Sequence, residues 1–123
     1  MTSAKTVLLV EDEPLVLQST SDLLEHEGYR VVGATNYREA VAALEAEPDT
    51  AVMVTDISIG SDGDGDGVEL AKMVADRFPH VRTVIVSGAV RPSGDAYPKE
   101  AIFFTKPYAP GALLTIVRDC VEG

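Results

Sequence analysis

Residues 6–14 read TVLLVEDEP, and the change of character inside that stretch decides the fold. Thr6 to Val10 form a continuous apolar, β-branched run, the pattern of a short strand buried on both faces, and the run stops at Glu11, Asp12 and Glu13. Pro14 stands where a first-turn proline is tolerated, and Leu17 and Leu24 carry an apolar stripe toward Gly28, a C-terminal stop. A buried strand that passes through an acidic turn into an amphipathic helix is the opening half of a parallel βαβ unit.

The same pattern repeats outward from there. Residues 30–34 (RVVGA) read as a second strand, and Asn36 as the N-cap of a helix that carries Ala40, Val41 and Leu44 and ends before Pro48. Residues 51–55 (AVMVT) form the third strand, ending at Asp56. Asp66 or Gly67 opens a third helix, with Val68, Ala71, Val74 and Phe78 at helical spacing and Pro79 as its stop. Residues 81–86 (VRTVIV) run up to Ser87, residues 101–104 (AIFF) run up to Lys106 and Pro107, and Pro110 starts a last helix with Leu113, Leu114, Val117 and Val121. Between those two strands, residues 89–99 hold Pro92, Gly94 and Pro98, so the fourth helix is expected to be short or distorted. The expectation is an α/β fold, a (βα)5 doubly wound five-stranded parallel sheet of flavodoxin-like type, with residues 1–123 as one domain.

Composition narrows the function. With 46% hydrophobic residues the chain can bury a real core, while ten basic against twenty acidic residues give a net charge of -10 that repels nucleic-acid phosphates and anionic lipid. Cys120 is the single cysteine, so no internal disulfide is possible; it reads as a small buried hydrophobe in a reducing, cytoplasmic setting. The N-terminal run is neither a signal peptide nor a membrane span. His26 and His80 have no catalytic partner in the pattern and are expected at the surface.

Ligands of such a sheet sit at the carboxyl ends of its strands. That edge collects Glu11 and Asp12 from the first strand, Asp56 from the third, Ser87 from the fourth and Lys106 from the fifth. At an effective dielectric of about 20, two carboxylates ~4 Å apart repel by roughly 4 kcal/mol, so three in one pocket need compensation. A hard divalent cation and Lys106 supply it. Magnesium prefers a few carboxylate or carbonyl oxygens completed by waters and phosphate oxygens, which makes phosphoryl transfer the chemistry that fits.

These residues resemble the response-regulator receiver domains of two-component signalling. LLVEDEP near the start, TDIS around Asp56, VSGA at the fourth strand and FFTKPY near the end occur in order, each at a strand end. The resemblance implies that Asp56 takes a phosphoryl group from a phosphohistidine on a histidine kinase. It implies that Asp12, Asp56 and the Ser58 carbonyl ligate Mg²⁺, with Mn²⁺ as a substitute, and that Glu11 acts through a water. Lys106 pairs with the phosphoryl oxygens, Ser87 bonds one of them in the product, and Phe103, three residues before the lysine, rotates inward as the switch. Lys106 and Pro107 are expected to be joined by a cis bond. Such a domain is no conventional enzyme, since it catalyses only its own phosphorylation and dephosphorylation. Its partners are the kinase and either a histidine phosphotransferase or another target protein, with no nucleic acid, no membrane and an open oligomeric state.

Two stretches depart from the family pattern. Ile59-Gly60 replaces the usual Met-Pro pair and is followed by SDGDGDG, about three residues longer than usual, and the segment from Ser87 to Lys106 is shorter by about as much. Asp62, Asp64, Asp66 and Gly67 match the opening of an EF-hand loop, but Met73 stands where the bidentate glutamate belongs, so the stretch reads as a turn that attracts cations weakly at most. Other functions fit less well. A flavodoxin-like FMN carrier needs a phosphate cradle where this chain has Glu-Asp-Glu, and a haloacid dehalogenase-type phosphatase needs an aspartate where it has Ser58. The alternative that remains is an unphosphorylated receiver-like scaffold, against which the filled core positions count. Met1 and the ending just after the last helix favour a complete small protein.

Overall fold

The computed structural model describes residues 4–57, 59, 66–87, 101–105 and 109–122. Among them the apolar runs form strands β1 (Thr6–Val10), β2 (Arg30–Ala34), β3 (Val52–Asp56), β4 (Arg82–Ser87) and β5 (Ile102–Thr105). The amphipathic stretches form helices α1 (Pro14–His26), α2 (Tyr37–Ala46), α3 (Gly67–Arg77) and α4 (Pro110–Glu122). All neighbouring strands pair in parallel, in the order β2-β1-β3-β4-β5. The short or distorted helix expected between β4 and β5 lies outside the described residues.

Alternation along the strands divides the core in two. Val7, Leu9, Val52, Val54, Val84 and Val86 pack with Leu24 of α1 and Leu113, Val117 and Cys120 of α4. Leu8, Val10 and Met53 pack on the other face with Ala40 and Leu44 of α2 and Leu70 and Val74 of α3. A sheet covered on both faces is what solid apolar strands require, and each fully buried leucine contributes about 1.5–3 kcal/mol. Strands β3, β4 and β5 each run one residue further than their apolar run, because the ladder continues through Asp56 opposite Val86 and Ser87 opposite Thr105.

Local chemistry sets the helix ends. Asn36 caps α2 by accepting the Glu39 N–H at 2.8 Å, while the Glu39 carboxylate accepts the hydroxyl and N–H of Thr35, which hold it below the usual carboxylate range. Asp66 and Glu69 form a reciprocal capping box at the start of α3, so Asp66 serves the helix. At the end of α1, Gly28 N–H donates to Glu25 O and Tyr29 N–H to Leu24 O, and Gly28 has φ 97°. This is a Schellman stop, with Tyr29 packed against the cluster that holds Leu24. A Cβ at Gly28 meets nothing within 4 Å, so Gly28→Ala isolates the backbone effect. Urea unfolding should show a loss of about 1–2 kcal/mol with an unchanged m-value.

Cys120, His26 and His80 lie where the sequence places them. Cys120 is buried, and that burial pushes its thiol up, away from reactivity. His26 is exposed at the end of α1, and exposed His80 donates from Nε2 to the Pro48 carbonyl at 2.6 Å.

Candidate functional site

Strand order reverses between β1 and β3, because the chain leaves β1 for β2 on one side and β3 lies on the other. The crevice at the carboxyl ends of those two strands is the switch point where doubly wound sheets bind ligands. Val10 pairs with Thr55, so Glu11 and Asp56 follow at matching positions. Each stands two residues beyond an inward residue of the α1 and α4 face, Leu9 and Val54 respectively. Alternation therefore sends both toward α1, and both line one narrow opening with Val16 and Thr20 of that helix.

The two carboxyl groups are buried, Glu11 at 6% exposure and Asp56 at 7%, whereas Asp12 is exposed beside them. Glu11 Oε1 accepts the Glu13 N–H at 3.1 Å and closes the turn into α1, whose N-cap residue Glu13 offers no side-chain cap of its own. Ser87, 1% exposed, ends β4 one residue beyond the partner of Asp56. Phe103 is half-buried opposite Ile85, on the other face from Phe104, which packs on the α1 and α4 side. Glu11, Asp12, Asp56 and Ser87 thus share one edge of the sheet. Ser58, Lys106, Pro107, Asp62 and Asp64 lie outside the described residues.

The turn after Asp56 is held by backbone. Ile57 N–H donates to Val86 O at 2.8 Å, Ile59 N–H to Asp56 O at 3.4 Å, and Gly67 N–H to Ile57 O at 3.2 Å. Ile59 is buried in the α2 and α3 cluster. Gly67 presses so close that a Cβ there would stand 2.4 Å from Asp56 O and 2.7 Å from Ile57 Cα. The sequence marks Gly67 only as one possible opener of a helix. Its position directly after a capping aspartate, as the first residue of α3, is the signal for this contact.

Among the described residues no three acidic, histidine or cysteine side chains gather into a metal cage. The oxygen donors at this sheet edge, one exposed and two buried carboxyl groups, nevertheless fit Mg²⁺, which uses one or two carboxylates and keeps several waters. No described helix is long and apolar enough to cross a membrane.

Comparison with known proteins agrees with this geometry. Residues 7–118 match the family model of the response regulator receiver domain. The two-component response regulator PprB of Pseudomonas aeruginosa is 31% identical over 115 residues, which cover 89% of this chain and 41% of that protein. The phosphoglycerate transport system transcriptional regulatory protein PgtA of Salmonella typhimurium is 30% identical over 118 residues, covering 95% of this chain and 28% of that one. The chain therefore spans less than half the length of these relatives. Among solved structures, a CheY-like response regulator receiver domain protein from Methanospirillum hungatei superposes with a TM-score of 0.84 at 29% identity, covering 98% of this chain and 95% of its own. A receiver protein from Sinorhizobium medicae shares the fold with a TM-score of 0.86 at 24% identity, covering 98% and 96%.

Proposed function

The chain belongs to the response regulator receiver family of two-component signalling, and on that premise we propose that Asp56 accepts a phosphoryl group from a phosphohistidine of a partner histidine kinase. An Asp56 carboxylate oxygen attacks phosphorus, the P–N bond to the kinase histidine breaks, and an acyl phosphate forms. Asp12, Asp56 and the Ser58 carbonyl would hold Mg²⁺, or Mn²⁺ in its place, with Glu11 acting through water. When bound, the ion neutralises charge on the transferring group. Lys106 does the same from the fifth strand's end, and the Ser87 hydroxyl donates to a phosphoryl oxygen of the product. Phe103 then moves inward, and the altered surface either docks a target protein or returns the group to a histidine phosphotransferase. Residues 1–123 act as one cytoplasmic receiver domain, a signalling module with no turnover of an outside substrate.

The observation that carries this reading is the pair of buried carboxyl groups, Glu11 and Asp56, in register across the switch point. Beryllofluoride, which mimics a phosphoryl group on a carboxylate, tests it. With Mg²⁺ present, ¹⁹F NMR should show a bound signal that Asp56→Asn lacks; a chain that binds none is a scaffold rather than an acceptor. Ser87→Ala should still bind beryllofluoride but lose most of the accompanying change at the Phe103 ring resonances. A full response in that variant would remove Ser87 from the switch.

A further inference from the structure

At the sheet edge opposite the acidic residues, an open groove of about 570 Å³ runs between the turn that leaves α1 and the last turns of α4. Leu114, Val121 and Tyr29 form its apolar part; each packs against the core yet stays half-buried. Its rim is charged. Lys5 and Arg118 supply two cations, Glu27 and Glu122 two carboxylates, and all four are exposed. Among the described residues Arg30 pairs with Glu47 and Arg77 with Glu45, but none of these four joins an ion pair, although Arg118 and Glu122 stand one helical turn apart. A Cβ at Gly28, on the same rim, meets nothing within 4 Å, so the approach is open.

The charge balance selects the occupant. With a net charge of -10, two copies of the chain repel each other over most of their surface. On this rim the charges cancel, and a patch that carries both signs is complementary to itself about a two-fold axis. Leu114, Arg118 and Glu122 recur every four residues, a ridge of α4 that borders the groove. A groove bordered by its own ridge accepts the same ridge from a second copy.

We propose that this face is a homodimer interface: the α4 helices of two copies pack antiparallel, Arg118 of each copy pairs with Glu122 of the other, and Leu114 lies against the other copy's Val121. The groove sits at the amino ends of the strands, where Lys5 precedes β1 and Tyr29 precedes β2, so pairing leaves Asp56 open in both copies. The proposal stands apart from the acceptor reading and holds whether or not Asp56 is phosphorylated.

Sedimentation equilibrium of the full chain tests it. At low ionic strength the average mass of the natural chain should rise with concentration toward that of a dimer, and added salt should lower it again. Arg118→Glu and Glu122→Arg, both at exposed positions where the fold is not at stake, should each weaken association by at least about tenfold. Mixed in equal amounts, the two variants should form a dimer that neither forms alone. A natural chain that stays monomeric, a dimer that survives Arg118→Glu, or a mixture that stays monomeric would overturn the proposal.

Discussion

In Mg²⁺-free buffer, Asp56→Asn is expected to melt about 3–6 °C above the natural chain while accepting no phosphoryl group at all. Both halves come from one feature. Asp56 and Glu11 are buried side by side at the ends of paired strands, so two like charges share an environment poor in water. Asparagine keeps the shape and removes one charge, a relief of about 1 kcal/mol, but its amide gives no stable acyl phosphate. Mg²⁺ should reverse the order. At a hundredfold excess over its dissociation constant, a ligand bound only by the folded state adds about 2.7 kcal/mol, and the variant has lost a ligand. Melting curves with and without Mg²⁺ should therefore cross between the two proteins. If Mg²⁺ raised both equally, the cation would not be held by Asp56.

Gly67→Ala sets two effects against each other. In a helix interior alanine is favoured over glycine by about 1 kcal/mol, and at the first position, where Gly67 stands, the same preference is smaller, so propensity alone predicts a slightly more stable protein. The steric effect has the opposite sign. The new methyl would stand 2.4 Å from Asp56 O and 2.7 Å from Ile57 Cα, and both neighbours are backbone that cannot swing aside as a side chain could. Relieving that contact means shifting α3 or the turn after Asp56, and the turn is held by bonds to Val86 and Gly67 and by buried Ile59. A net loss of about 1–3 kcal/mol is expected in urea unfolding. Phosphorylation should also slow, because the strained turn carries the acceptor. A variant as stable as the natural chain would mean that α3 yields without disturbing Asp56.

The sheet and its helices were legible because each strand is a solid apolar run and each helix start has its own marker: Pro14, Asn36, Asp66 and Pro110 stand where their helices begin. The acidic edge was legible for the same reason, since a parallel sheet brings all strand ends to one side. What the sequence concealed depends on close approach. Gly67 differs from any other helix-opening glycine only by what lies against it. Asp66 read both as a helix opener and as part of an acidic, EF-hand-like stretch, and its capping box with Glu69 settles it as the former. Neither spacing nor composition distinguishes a carboxylate that waits for a cation from one that holds a helix.

The most direct test of the account is the intact mass of the chain after incubation with Mg²⁺ and acetyl phosphate, followed by peptide mapping. With no tryptophan in the sequence, the mass reports what intrinsic indole fluorescence cannot. The account predicts a single added phosphoryl group, carried on the peptide that contains Asp56 and absent without Mg²⁺. A group located on any other residue, or an addition that persists in Asp56→Asn, would contradict it.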